Sequence, residues 1–185
     1  MRKNFGAKPF LYPMPVLIIA SYNEDGTANA MNAAWGCIAD MDRVAIYVAG
    51  NHKTMANILT RKAFTVSMAD AANVISADYV GIVSGNNEPN KMEKAGWHTT
   101  QSEFVDAPLI CELPMALECE LVSFDTESEL LIGRIVNVSA EERILTDGVI
   151  DPVKLNPITY DSVNHAYLTL GEKVGNAFSD GKQMK

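Results

Sequence analysis

Apolar residues fall in short runs divided by turn residues, and few runs keep helical spacing. Pro15–Ser21 is an aliphatic run, and Asp25-Gly26 behind it signals a hairpin turn. Ala28–Trp35 returns as a strand or extended segment of small residues, and Arg43–Ala49 reads as a third strand. A helix follows, with Thr54 as its cap and Met55, Ile58 and Leu59 on one face. Ala63–Met68 predicts a strand, and Asp70–Val80 a helix capped by Asp70. Ser84–Pro89 is a polar loop, and Lys91–Ala95 a short helix stopped by Gly96. In Met115–Ser123, Met115, Leu117, Cys119 and Leu121 alternate with Ala116, Glu118 and Glu120, the pattern of a half-buried strand. Leu130–Val138 predicts another, Asp147-Gly148 a second turn, and Asn156–Tyr160 and Ala166–Leu170 the closing extended segments. About six short strands with helices inserted between them predict a mainly β fold, a β-barrel with helical additions. Parallel βαβ alternation is the alternative. No repeat, linker or low-complexity segment divides the chain, so residues 1–185 read as one domain with residues 1–14 as a basic, aromatic arm.

Charge narrows the partners. Lys and Arg number 15 against 23 Asp and Glu, a net −8. A chain this acidic lacks the electrostatic footprint of a nucleic-acid binder or a polybasic membrane binder. An anion must therefore be held by local donors against the global field. The greasiest runs, Val16–Ala20 and Val44–Ala49, are far shorter than the roughly 20 residues that span a bilayer. The N-terminal pattern is not that of a signal peptide, which predicts a cytoplasmic protein. Cys37, Cys111 and Cys119 form no C-x-x-C, so a disulfide framework is not expected. His52, His98 and His165 lack metal-ligand spacing, and no metal is expected.

Two constellations can carry chemistry. In Asn29-Ala30-Met31-Asn32-Ala33-Ala34-Trp35-Gly36-Cys37, small residues let a flat ligand approach the backbone. The amides of Asn29 and Asn32 can donate and accept, and Trp35 can wall a ring. The same stretch also reads as a small-residue strand in a crowded barrel with Trp35 in the core. Cys37 is either a small buried hydrophobe or a thiol facing a ligand. In an extended chain it shares a face with Trp35. The second constellation, Asn51-His52-Lys53-Thr54-x-x-Asn57, falls where a strand gives way to a helix. Unpaired N–H groups, the helix dipole, Lys53, a hydroxyl and an amide make a phosphate cradle there. An ordinary capped helix end with solvated neighbours fits the same residues. There is no G-x-G-x-x-G, Walker A or G-x-S-x-G motif.

Taken in order, further stretches carry a resemblance. They are Pro13-Met14-Pro15-Val16, Asp25-Gly26-x-x-Asn29, Lys53-Thr54-x-x-Asn57-Ile58, Asp78-Tyr79-Val80-Gly81-x-x-Ser84-Gly85, Lys91, Lys94-Ala95-Gly96, Ala107-Pro108-Leu109-Ile110, Ile132-Gly133, Pro157-Ile158 and Tyr167-x-x-Leu170-Gly171. The chain resembles the flavin reductase-like, FMN-binding split-barrel family, and within it the flavoredoxins. The resemblance implies a six-stranded antiparallel split barrel that forms a homodimer, with non-covalent FMN near the subunit interface. Asn29, Met31, Asn32, Ala33, Ala34, Trp35 and Cys37 would line the isoalloxazine and ribityl chain. His52, Lys53, Thr54 and Asn57 would lie at the phosphate, with Lys91 as a further basic contact. One departure bears on the electron donor. Many family members carry a Gly-Asp-His-like segment before a strand ending Gly-Glu-Val, and that His is associated with a nicotinamide donor. Here the run is Glu127-Ser128-Glu129-Leu130-Leu131-Ile132-Gly133-Arg134, with Ser128 in place of the His and Arg134 in place of the Glu. The expected function is a flavoredoxin-like carrier exchanging electrons with redox partner proteins. An NAD(P)H:flavin oxidoreductase is the alternative, and a non-redox flavin- or haem-binding module the second.

Overall fold

The computed structural model describes residues 1–184. Strands β1 (Leu17–Tyr22) and β2 (Ala28–Ala33) form the hairpin that Asp25-Gly26 predicts. Gly26 takes φ +84°, and Thr27 N–H donates to Asp25 Oδ1 at 3.0 Å. The chain continues through β3 (Gly36–Asp40), β4 (Arg43–Tyr47), α1 (Lys53–Arg61) and β5 (Ala63–Met68). A single 3-10 turn leads into α2 (Val74–Ile82), and α3 (Lys91–Lys94) precedes the short pair β6 (Thr99–Gln101) and β7 (Pro108–Ile110). The long strands β8 (Met115–Asp125) and β9 (Leu130–Ala140) follow. After them come β10 (Leu145–Thr146), β11 (Val149–Ile150), α4 (Pro152–Leu155), and the hairpin β12 (Ile158–Asp161) and β13 (Ala166–Thr169).

One sheet of seven antiparallel strands organises these elements, in the order β2-β1-β5-β8-β9-β4-β3. Its two edge strands, β2 and β3, are consecutive in the chain with only Ala34 and Trp35 between them. Six strand spacings would set the edges of a flat sheet roughly 29 Å apart. Three trans peptide steps span at most about 11 Å. The sheet must therefore curl until its edges approach, which makes a barrel split between β2 and β3.

Curling gives the sheet two covered faces. Inside, Ile19, Met31, Val44, Ile46, Phe64 and Leu131 form one buried core. Outside β1 and β2, α2 and the β12 hairpin close a second, with Ile18, Ala30, Ala77, Val80, Trp97 and Ile158. β1 is buried on both sides, which explains why its sequence is a continuous apolar run and not an alternation. The arm joins this second layer: Met14 N–H donates to Thr159 Oγ1 at 2.9 Å, and the Tyr12 hydroxyl donates to Asp161.

Three expectations are corrected. The sheet has seven strands, not six, because the segment after Trp35 crosses to the opposite edge and continues as β3. β3 is mostly exposed and shows no alternation, so its pattern hides it. Thr54 does not cap α1: His52 holds the N-cap position, and Thr54 lies inside the first turn. Glu118 sits on the polar side of the β8 alternation yet is 1% exposed. The segment carrying Val105 and Ala107 covers that face, and the carboxylate accepts from the Ser102 hydroxyl and from Asn137 Nδ2 at 2.7 Å.

Gly133 is required for space. A Cβ on it would stand 2.3 Å from Cζ of Phe64, which is fully buried. Gly133→Ala should destabilise by about 1–3 kcal/mol through overpacking. That lowers the thermal midpoint by several degrees, and Phe64→Leu in the same chain should restore part of the loss. An unchanged midpoint in the single variant would show that the barrel interior yields at this point.

Candidate functional site

Most of the expected residues gather around β2, the start of α1, the C-terminal end of α2 and the Ala34–Trp35 link, divided among adjoining hollows. The first, of about 140 Å³, is lined by Asn29 and Met31 of β2, His52, Lys53 and Thr54 at the start of α1, Ser84 and Gly85 of the following loop, and Lys91 of α3. Residues drawn from positions 29 to 91 thus meet in one place. Asn29 Nδ2 donates to Thr54 Oγ1 at 2.8 Å, tying β2 to the helix start. The Thr54 hydroxyl hydrogen is then free to donate elsewhere. No side chain caps this end of α1, and its first turn has no acid. The dipole and orphan N–H groups there favour an anion.

Lys91 completes the electrostatics. It is 3% exposed, and among the described residues its ammonium has neither a hydrogen bond nor an ion pair. Burial pushes its pKa down to about 8. A buried lysine without a counter-charge is costly, and an anion in the hollow it lines removes that cost. Gly85 keeps the hollow open: a Cβ there would fall 2.2 Å from Asn29 Oδ1 and 3.4 Å from Lys53 Cγ. The cradle therefore fits a phosphate monoester in charge, donor set and shape.

A second hollow, of about 360 Å³, shares Gly81 and Ile82 with the first and lies across β2 from it. Asn32, Asp78, Tyr160, His165 and Tyr167 supply its polar wall. A third, of about 480 Å³, shares Ala34 with the second and is mainly apolar, with Trp35, Cys37, Tyr47 and prolines of the arm. The first two adjoin β2, a sheet edge whose outward N–H and C=O groups no strand pairs, and the third lies beyond its end against the Ala34–Trp35 link, β3, β4 and the arm. Such an edge offers a planar heterocycle directional bonds along one side.

The expected residues separate accordingly. Asn29, Met31, His52, Lys53, Thr54 and Lys91 line the first hollow, Asn32 and Ala34 the second, and Ala34, Trp35 and Cys37 the third. Trp35 is exposed and not in the core. Two residues are not brought to these hollows. Ala33 faces the barrel interior among Leu17 and Ile46. Asn57 lines a neighbouring hollow with Lys53 and donates to Ser21 Oγ at 3.2 Å and Asn23 Oδ1 at 2.9 Å, on the side of the β1–β2 hairpin. The second hollow also takes Tyr160, His165 and Tyr167 of the β12–β13 hairpin, which the sequence does not single out as site residues. Their signals in the sequence are the Pro157-Ile158 and Tyr167-x-x-Leu170-Gly171 stretches, neither of which assigns a role to a side chain.

The departure at the β8–β9 turn is explicit. Ser128 N–H and Oγ–H both donate to Asp125 Oδ1 at 2.7 Å, a local turn contact. Arg134 pairs with Glu120 on the exposed sheet surface.

Comparison with known proteins agrees with this architecture. The flavoredoxin of Desulfovibrio vulgaris (Miyazaki F) is 36% identical, with a TM-score of 0.93 over 98% of this chain and all of that one. A flavoredoxin from Methanosarcina acetivorans is 26% identical, with a TM-score of 0.90 over the full length of both. An uncharacterised protein of Aeropyrum pernix is 32% identical over 115 residues, which span 60% of this chain and 43% of that protein. The flavin reductase like domain matches residues 10–161. The chain therefore belongs to the flavin reductase-like domain family.

Proposed function

We propose that the protein is a flavoredoxin-like electron carrier that binds FMN non-covalently, with the phosphate in the Lys53–Lys91 hollow and the ring along the β2 edge. The observation that carries this reading is Lys91, a buried cation without a counter-charge beside an uncapped helix end. The likeness to two flavoredoxins supports the redox role. When bound, FMN supplies reversible one- and two-electron chemistry, and the protein supplies binding, orientation and access. Thr54 and the α1 N–H groups donate to the phosphate, and Lys53 and Lys91 balance its charge of about −1.5 to −2. Trp35 and Cys37 border the ring at its apolar end.

NAD(P)H as donor is the second reading, and Ser128 speaks against it. Its hydroxyl is spent on Asp125, and it has no ring to place against a nicotinamide. Redox partner proteins are then the electron donors and acceptors. A homodimer is part of the proposal. Trp35, Ile38, Met41 and Tyr47 stand exposed on β3, β4 and the links beside them, next to the arm. A second copy of the chain covers these side chains in the proposed homodimer.

Lys53→Ala should weaken FMN about ten- to a hundred-fold, the worth of one charge-assisted contact, and leave riboflavin nearly unaffected. Equal losses for both ligands would place Lys53 away from the phosphate. The Lys91 pKa of about 8 adds a pH dependence. Bound phosphate favours the charged amine, so FMN affinity should fall as pH rises above about 8 and protons are taken up on binding. Titrations across that range should show the slope in the wild type and its loss in Lys91→Met. Under anaerobic mixing, NADH and NADPH should reduce the bound flavin more slowly than roughly 1 s⁻¹, the low end of ordinary turnover. Faster reduction would favour the oxidoreductase. Light scattering should give about 40 kDa, twice the 20.2 kDa chain, and a monomer that keeps FMN would remove the dimer from the account.

A further inference from the structure

The arm runs along the β12–β13 hairpin before it enters β1, and residues 9–13 form a strap over the third hollow. Pro9, Leu11, Pro13 and Pro15 line that hollow opposite Trp35 and Tyr47. Tyr12, between them, is not part of this wall and gives its hydroxyl hydrogen to Asp161 Oδ1 of the hairpin. A second bond runs from the Ser162 hydroxyl to Pro9 O at 3.0 Å. Further in, the attachment is firmer. Met14 is buried, its N–H donates to Thr159 Oγ1 at 2.9 Å, and its O accepts from Tyr160 N–H at 2.9 Å. Outside that anchor, two side-chain hydrogen bonds hold the strap among the described residues, and Phe10, Leu11 and Tyr12 stand exposed. Pro9, Pro13 and Pro15 carry no N–H, which keeps the strap from adding as a strand to the free edge of β3 and leaves the hollow open between them. Asp161 belongs to both parts. It is 5% exposed, and it also accepts from Val163 N–H at 2.9 Å and Asn164 Nδ2 at 2.7 Å, which shapes the hairpin turn. The Tyr12 hydroxyl first, and the Asn164 amide next, hold its pKa down to about 2, so it is an ionised acceptor at neutral pH. A bond to such an acceptor is stronger than a neutral one.

We propose that Tyr12 and Asp161 are positioning residues that fasten residues 9–13 as a detachable wall of the third hollow, so that strap and hairpin together clasp the apolar end of the bound ring. The inference rests on the FMN reading above. It adds a retention device at the end of the ligand away from the phosphate. Neither Tyr12 nor Asp161 lines that hollow, so both act through the strap. Releasing the strap shortens the stay of any ligand that carries the ring, with or without a phosphate.

The test follows FMN and riboflavin binding to apo-protein by stopped flow in the wild type, Tyr12→Phe and Ser162→Ala, with melting curves to establish folding. Tyr12→Phe should raise the dissociation rates of both ligands by the same factor, about ten-fold, the low end for a bond to a charged group, and leave association unchanged. Ser162→Ala should raise them about three-fold, the worth of one neutral bond. Trp35 gives a readout that needs no flavin, because it stands exposed opposite the strap while Trp97 is buried. In the apo-protein, Tyr12→Phe should increase acrylamide quenching of the tryptophan emission. Unchanged dissociation or unchanged quenching in folded Tyr12→Phe would overturn the fastening. A loss confined to FMN would place the effect at the phosphate and overturn it as well. An effect of Ser162→Ala that Tyr12→Phe does not share would remove Asp161 from the role. Should Tyr12→Phe fail to fold, a chain lacking residues 1–11 decides, since it removes most of the strap and keeps the Met14 anchor. A wild type that binds no flavin would overturn the FMN reading and this inference with it, whereas flat variants on a flavin-binding wild type overturn the inference alone.

Discussion

Two residues, Ala34 and Trp35, join the opposite edges of a seven-stranded sheet, and that short link dictates the rest of the molecule. It forces the sheet to curl, and it leaves β2 and β3 as edges facing across a split. An unpaired edge is ordinarily a liability for a β protein, because its free backbone groups invite another strand. Here α2, the Gly81–Gly85 segment and the β12–β13 hairpin stand over the β2 edge without forming a strand on it, and hollows remain between them. The candidate site is thus a by-product of how the barrel closes.

Closure also settles which end of the site takes charge. α1 starts close to the β2 edge because Asn29 is bonded to Thr54, so the positive helix end and Lys53 are aimed into the split. α3 brings Lys91 to the same hollow from far along the chain. At the other end the arm, Trp35 and Cys37 provide an apolar wall. The change from a cationic hollow beside β2 to an apolar one beyond its end matches a molecule with a phosphate at one end and a fused ring system at the other. It also resolves the apparent conflict between a net charge of −8 and an anionic ligand. Among the described residues no acidic one lines the first hollow, and the desolvated Lys91 acts there at short range where screening is weak.

Much of this was legible in the sequence, for identifiable reasons. Asp25-Gly26, Gly96 and Asp147-Gly148 marked turns because each needs a backbone conformation that glycine takes freely; their glycines have φ of +84°, +70° and +78°. Ala63–Met68 was bounded correctly because its apolar residues end at a helix on one side and at Asp70 on the other. β3 was missed because an exposed edge strand carries no alternation. Glu118 misled because alternation cannot register a loop folded over the polar face. At the site, the anion cradle was readable because a strand-to-helix junction followed by Lys-Thr is a local feature. Asn57 lines the hollow next to the cradle, with Lys53 between the two, a placement that sequence spacing alone does not give. The Tyr167–Asp78 hydrogen bond joins β13 to α2 and leaves no local trace.

The central claim is that this split holds FMN by its phosphate. The most direct measurement is to denature the purified protein and identify what it releases, then to reconstitute the stripped protein with FMN, FAD and riboflavin. The account predicts that FMN is released intact, with no covalent link, and that FMN rebinds about one per chain and more tightly than riboflavin. Release of FAD, or a stripped protein that takes up riboflavin as well as FMN, would contradict it.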